Sequence, residues 1–358
     1  MEPLSELAVQ CLLFVGMATI VVSILIVMRY GFSVSPAHWL PPQRRRAVVW
    51  GWLEIIVVPF IGYFFVPGIC FVLLRHVGFF DFMYGAIGES ENIRQHREAL
   101  WVMALSLPVS AGVVLAFLNV SSGARLYQMG LRCDRVGRDL AVGLVAWLVL
   151  TPVVFLINFV VVVVHHVLQL PVDEHLLMKV LHPQNQPFLS EWVLAVFAAV
   201  VAAPLFEEIM FRGVIQPYVC QNARAQPPLC LVTLLLSLIS RSENFARLYR
   251  HGWEAQEMAL ALFPALFVMV CLAVFPFFWP WFRRWLPDVD AAGGIYATSL
   301  LFAAVHTEVW PTPIALFPLG LGLGFIAYRT QSIVSAFACH AIFNSLSCLM
   351  LLMEYGLK

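Results

Sequence analysis

The sequence predicts an all-α, multi-pass transmembrane bundle of about eight to ten helical segments. Three observations support this class: many hydrophobic residues, few charges and long apolar runs. Hydrophobic residues make up 61% of the 358 residues, charged residues only 12%, and the mean hydropathy is +0.86. Because about a quarter of the residues in a soluble domain are charged, this composition excludes a soluble globular protein. The formal net charge of +0 gives no indication of nucleic-acid binding.

Five apolar runs before residue 212 are long enough to cross a membrane, since roughly 20 helical residues span about 30 Å of hydrocarbon. They are Leu7–Met28, Val48–Leu74, Ala99–Leu118, Leu140–Val164 and Trp192–Phe211. Arginines cluster in the loops after the first and third runs, whereas acids dilute the basic residues after the second and fourth. By the positive-inside rule, we expect an integral protein of the cytoplasmic membrane with its N-terminus outside.

The part of the chain after the fifth run is harder to orient. Leu229–Ile239 is apolar but too short to cross alone, and Met258–Trp281 is long enough. Arg283 and Arg284 then fall on the side that simple alternation makes the outer one. This conflict predicts that one of the two runs is re-entrant or interfacial, without indicating which. The remaining apolar segments are Ile295–Val305, Ile314–Tyr328 and Ile333–Met353.

Two adjacent acids, Glu207 and Glu208, interrupt the fifth apolar run. At about 1.5 Å of rise per residue, Glu207 lies roughly 22 Å along the helix from Trp192. A charge at the bilayer centre costs at least about 2.5 kcal/mol, so ionisable residues there usually face a partner, a cavity or a reaction. Glu208 and Arg212 share one helix face at i,i+4 spacing. We therefore expect Arg212 to keep Glu208 ionised, which leaves Glu207 free to accept a proton.

Two further pairs at i,i+4 spacing place polar residues in apolar segments. They are Phe302 with His306, and His340 with Asn344. A carboxylate, two imidazoles and an amide are together sufficient to activate water. The carboxylate removes a proton, an imidazole orients the water or relays the proton, and imidazole and amide hydrogen bonds hold the developing oxyanion.

The three motifs resemble those of the CPBP family. In chain order they are Glu207-Glu208-x-x-x-Arg212, Phe302-x-x-x-His306 and His340-x-x-x-Asn344. This family comprises intramembrane proteases grouped with type II CAAX prenyl proteases, bacteriocin-processing proteins and lysostaphin-resistance-like proteins. The glycine-rich stretch from Leu319 to Thr330 also resembles a segment of the family. The resemblance extends from about Trp192 to Leu352, which is less than half of the chain.

The resemblance implies hydrolysis of a peptide bond inside the membrane, with Glu207 as the general base. His306 would help to activate the water, and His340 with Asn344 would form the oxyanion site. No cofactor is implied in this interpretation. The partners would be the lipid bilayer and a protein or peptide substrate, with membrane-anchored or prenylated substrates as candidates.

The same resemblance assigns supporting roles and divides the chain. Glu208, paired with Arg212, would shape the site, and Phe302 would support it. Residues 1–190 would be membrane helices without catalytic motifs. Residues 191–353 would form the protease core, interrupted by an insertion at about 221–292 that separates the first two motifs more widely than is usual in the family. Such an insertion could form a side hairpin and alter substrate access.

Three other interpretations stay open at this point. Zinc could be bound by Glu207, His306 and His340, because two imidazoles and a carboxylate form a known catalytic ligand set. A proton-coupled transporter would also use buried acids and histidines, although the chain lacks the inverted repeat typical of many transporters. A non-proteolytic membrane scaffold or immunity protein would retain the helices without the chemistry.

Overall fold

The computed structural model describes residues 43–85, 90–170, 172–251, 255–286 and 288–355, together with Leu25 and Leu40. Throughout these residues the regular structure is helical, and they contain no strand. The first predicted span, Leu7–Met28, lies outside the described residues except for Leu25. The orientation of the N-terminus and the identity of the membrane stay predictions.

The helices are numbered in chain order. They are α1 (Trp52–His76), α2 (Phe79–Tyr84), α3 (Glu91–Ser122), α4 (Val136–Val167), α5 (Leu176–Leu181), α6 (Leu189–Gln221), α7 (Gln226–Ile239), α8 (Ser242–His251), α9 (Ala255–Trp285), α10 (Val289–Ala304), α11 (Thr312–Thr330) and α12 (Val334–Tyr355). Of the described helices, α1, α3, α4, α6, α9, α11 and α12 contain stretches long and apolar enough to cross a membrane. The predicted all-α multi-pass bundle is confirmed.

The two apolar runs that conflicted in orientation differ in length. α7 has 14 residues, whereas α9 contains the apolar stretch Leu260–Pro280, with 21 residues. α7 packs against α9 and α10. α7 is therefore too short to cross about 30 Å of hydrocarbon alone, whereas α9 is long enough.

α6 begins before its apolar run because Glu191 caps it. The Glu191 carboxylate accepts a hydrogen bond of 2.8 Å from the backbone N–H of Phe188, a donor that has no partner within the helix. Further along, α6 departs twice from α-helical geometry, with π-helical segments at Ala198–Ala202 and Glu208–Ile215. The first segment comes shortly before Pro204, which cannot donate a backbone hydrogen bond. Pro204 thus lies next to a segment whose backbone hydrogen bonds follow the π-helical pattern and not the α-helical one.

One buried apolar cluster joins helices from both ends of the chain. It includes Val58 of α1, Leu107 of α3, Phe206 of α6 and Phe302 of α10. Phe206 immediately precedes Glu207, so the packing of α1 and α3 against its ring helps to fix the position of that acid. The cluster contains residues from both sides of residue 190. The predicted division of the chain into N-terminal helices and a protease core at residue 190 stays a prediction.

The close approach of α1 to α6 depends on Gly62, so Gly62→Ala should destabilise the protein. A Cβ at Gly62 would lie 2.7 Å from Cε2 of the buried Phe206 ring, and nearer still to its Cζ. Overpacking of this kind typically costs about 1–3 kcal/mol. Gly68→Ala in the same helix is the matched control, because no heavy atom would lie within 4 Å of its Cβ. Thermal unfolding in detergent should show a lower midpoint for Gly62→Ala alone, and equal midpoints would contradict this account of the packing.

Candidate active site

Three helices bring the predicted polar residues together at a buried ion pair. Glu208 Oε1 accepts hydrogen bonds of 2.9 Å from Arg212 Nη1 and 2.9 Å from His340 Nδ1. Arg212 Nη2 also donates to the backbone carbonyl of Gly320, at 3.3 Å. These contacts tie α6 to α11 and α12. The side chains of Glu208, Arg212 and His340 are at most 5% exposed, so Glu208 and Arg212 neutralise each other in a dry environment.

The neighbouring acid, Glu207, faces both histidines. Its Oε1 lies 3.8 Å from His306 Nε2, and its Oε2 lies 3.9 Å from His340 Nε2. These distances are too long for direct hydrogen bonds. A water molecule can bridge two polar groups at such a separation. Glu207 Oε2 is buried and makes no hydrogen bond within the protein. The carboxylate therefore has an acceptor available for a water or a substrate group.

The other nitrogen of each imidazole is already engaged. His306 Nδ1 lies 2.8 Å from the carbonyl oxygen of Phe302, which can only accept, so Nδ1 is the donor. His340 Nδ1 donates in the same way to Glu208, as an ionised carboxylate only accepts. In their neutral forms, both histidines therefore present an unprotonated Nε2 towards Glu207.

Phe302 packs between the charged and imidazole groups. Its side chain is fully buried, and the Arg212 guanidinium lies 4.4 Å from the centre of its ring. The rings of His306 and His340 lie 5.1 Å and 5.8 Å from it, centre to centre. Phe302 thus excludes water from the ion pair and fixes the spacing of the two imidazoles.

Asn344 contacts the rearranged part of α6. Its Nδ2 donates a hydrogen bond of 2.8 Å to the carbonyl oxygen of Ala199. In the π-helical pattern, the backbone N–H of Ala203 donates to the carbonyl oxygen of Ala198. The carbonyl oxygen of Ala199 would next accept from residue 204, which is a proline and has no N–H. Asn344 therefore satisfies a carbonyl that the proline leaves without a backbone partner. Its amide keeps a second hydrogen, and its role in an oxyanion site stays a prediction.

A cavity of about 630 Å³ extends from Glu207 between α1, α3 and α6. Its wall is mainly apolar and includes Tyr63, Met103 and Leu107, and its far end reaches Arg75 and Glu98. The motifs gave no indication that α1 and α3 form the wall beside Glu207. Their sequences are apolar like any span, and the contact depends on long-range packing.

An arginine before α1 was also missed as part of the site. The buried Arg46 donates from Nη2 to the carbonyl oxygen of Arg212, at 3.3 Å, and Trp50 Nε1 donates to that of Val214, at 3.1 Å. Both acceptors belong to the π-helical segment of α6. Burial lowers the pKa of Arg46 to about 10. The sequence marked Arg46 only as a loop charge, although an arginine next to a span also has the length to reach buried carbonyls.

The three residues that could bind zinc suit this role only in part. Glu207, His306 and His340 offer suitable donors, and the Nδ1 atoms of both histidines have partners of the type that orient zinc-binding imidazoles. Yet no group of three or more His, Cys, Asp or Glu side chains in the described part of the chain is arranged so that it could hold a metal ion. The zinc site stays a prediction, and no chemical step is derived from it.

The fold and the buried residues define a multi-pass membrane protein with a carboxylate–imidazole centre between its helices. Residues 189–346, from α6 into α12, match the family model described as Type II CAAX prenyl endopeptidase Rce1-like. The match confirms the resemblance drawn from the three motifs. That family implies a CAAX-type intramembrane endopeptidase with a peptide substrate. Comparison with curated proteins and with solved structures gave no match.

Proposed function

We propose that this protein is an intramembrane endopeptidase that hydrolyses a peptide bond with a water molecule activated by Glu207. The observation that supports the proposal most strongly is the approach of both Nε2 atoms to one carboxylate that is 12% exposed, at 3.8 Å and 3.9 Å. A water between Glu207 and His306 would donate one hydrogen bond to each. Its lone pair would then be free to attack a carbonyl carbon.

In the proposed reaction, Glu207 takes a proton from this water as its oxygen bonds to the peptide carbonyl carbon. The carbonyl π electrons move onto oxygen and form a tetrahedral oxyanion. His340, when its Nε2 carries a proton, donates that hydrogen to the oxyanion, and Asn344 supplies its second amide hydrogen. Collapse of the intermediate breaks the C–N bond, and the proton held by Glu207 passes to the leaving amine. Arg212 and Phe302 keep Glu208 and the two imidazoles in place.

The cavity beside Glu207 supports a membrane-anchored substrate. Its mainly apolar wall suits a lipid chain or an aliphatic peptide. A prenylated peptide carries a lipid chain of this kind. We therefore propose prenylated C-terminal peptides as the first substrates to examine.

The proposal is tested by incubating the purified protein in lipid vesicles with a farnesylated peptide and its unprenylated counterpart. We expect cleavage of the farnesylated peptide at a rate that a strong zinc chelator leaves unchanged. Loss of activity on chelation, followed by recovery with zinc, would favour the zinc-dependent version of the same protease. Cleavage of neither peptide would count against this substrate class.

A further inference from the structure

We propose that Arg241, together with Asp173, is a positioning residue that holds the turn carrying His306. This inference rests on the proposed function. It assigns a role to the segment at about 221–292, which the sequence analysis predicts to be an insertion. The pair acts through His306 and does not touch the reacting groups.

His306 does not lie inside a helix. α10 ends at Ala304, and His306 precedes a short 3-10 turn, Thr307–Val309, with φ −101° and ψ 14°. The position of its imidazole therefore depends on what holds this turn. A shift of about 1 Å at a catalytic group can cost roughly 100-fold in rate.

The residue after His306 is held by the segment between α7 and α8. Thr307 is fully buried, and its hydroxyl shares a hydrogen bond of 2.7 Å with the hydroxyl of Ser240. Its carbonyl oxygen accepts a hydrogen bond from Arg241 Nη2. Ser240 and Arg241 form the connection between the two helices, so the inserted segment contacts the turn directly.

The other end of the turn is held by the loop between α4 and α5. Asp173 Oδ2 accepts hydrogen bonds from Arg241 Nη2, at 2.7 Å, and from the backbone N–H of Trp310, at 3.3 Å. The N–H of Asp173 donates to the carbonyl oxygen of Trp310, at 2.9 Å. Arg241, Thr307, Trp310 and Asp173 thus form a closed ring of contacts around the turn. Arg241 is 5% exposed and Asp173 is 27% exposed, so the ion pair is shielded from solvent on the arginine side.

The test measures kcat, KM and the thermal midpoint of Arg241→Gln in vesicles or detergent. We expect kcat per folded protein to fall about 10- to 100-fold, because His306 is displaced, with KM changed less than about threefold and a lower midpoint, because Asp173 loses its partner. Arg224→Gln is the matched control, since Arg224 is an exposed arginine in the same inserted segment. A kcat within about twofold of wild type, or a loss of kcat that follows the loss of folded protein, would overturn the inference.

A double variant separates positioning from a general structural effect. If Arg241 acts through His306, adding Arg241→Gln to His306→Ala should lower kcat no further. An additional loss equal to that in the wild-type background would contradict the proposed role. Failure of the proposed function looks different: Glu207→Gln would then keep full activity, whatever the result for Arg241→Gln.

Discussion

Arg212→Ala should reduce stability by about 3–5 kcal/mol, the usual cost of removing one partner from a buried ion pair. Arg212 is 1% exposed and Glu208 is fully buried, with 2.9 Å between Nη1 and Oε1. Without the guanidinium, the Glu208 carboxylate would stay in an apolar interior, and among the described residues His340 would be the partner left to it. The substitution also removes the contacts with Phe302 and with the carbonyl of Gly320. Thermal unfolding in detergent should show a clearly lower midpoint.

Two controls make the Arg212 prediction specific. Arg138→Ala removes an exposed arginine near the start of α4 and should leave the midpoint almost unchanged, because exposed charges contribute at most about 1 kcal/mol. Adding Glu208→Gln to Arg212→Ala should recover part of the lost stability, since no unpaired charge then stays buried. An Arg212→Ala protein within about 1 kcal/mol of wild type would refute the structural role given to this pair.

The long apolar helices and the candidate site residues could be selected from the sequence because each leaves a local signal. Long apolar runs predicted the spans α1, α3, α4 and α6, and polar residues within apolar runs were sufficient to select Glu207, His306 and His340. The pairing of Glu208 with Arg212 follows from i,i+4 spacing, and the contact persists although this part of α6 is π-helical. Two long side chains four residues apart are close enough to meet in an α-helix and in a π-helix.

Features that depend on long-range packing could not be predicted. Nothing in the apolar sequence of α1 indicates that Tyr63 lines a cavity beside Glu207, or that Gly62 faces the Phe206 ring. The pairing of Arg241 with Asp173 joins the connection between α7 and α8 to a loop 68 residues earlier. The sequence identified the residues suited to chemistry, whereas their distances and supports required the folded chain.

Glu207→Gln should lower kcat by a factor of about 10² to 10⁴, the range typical of a lost general acid or base. Gln has nearly the same size as Glu, so the helix and the cavity wall should persist. Its amide, however, cannot take a proton from water. KM should change little, because the substitution removes an interaction with the reacting water and leaves the apolar contacts with substrate in place. Rates of peptide cleavage in lipid vesicles measure both parameters.

The comparison of wild type, Glu207→Gln and Glu174→Gln in one cleavage assay tests the central claim most directly. Glu174 is an exposed acid in the loop before α5 and serves as the matched control. The account predicts normal cleavage by Glu174→Gln, and for Glu207→Gln a rate at least about 100-fold below wild type with equal amounts of folded protein in the vesicles. Cleavage by Glu207→Gln at the wild-type rate would contradict it, because a peptidase that works without this carboxylate does not use Glu207 as its base.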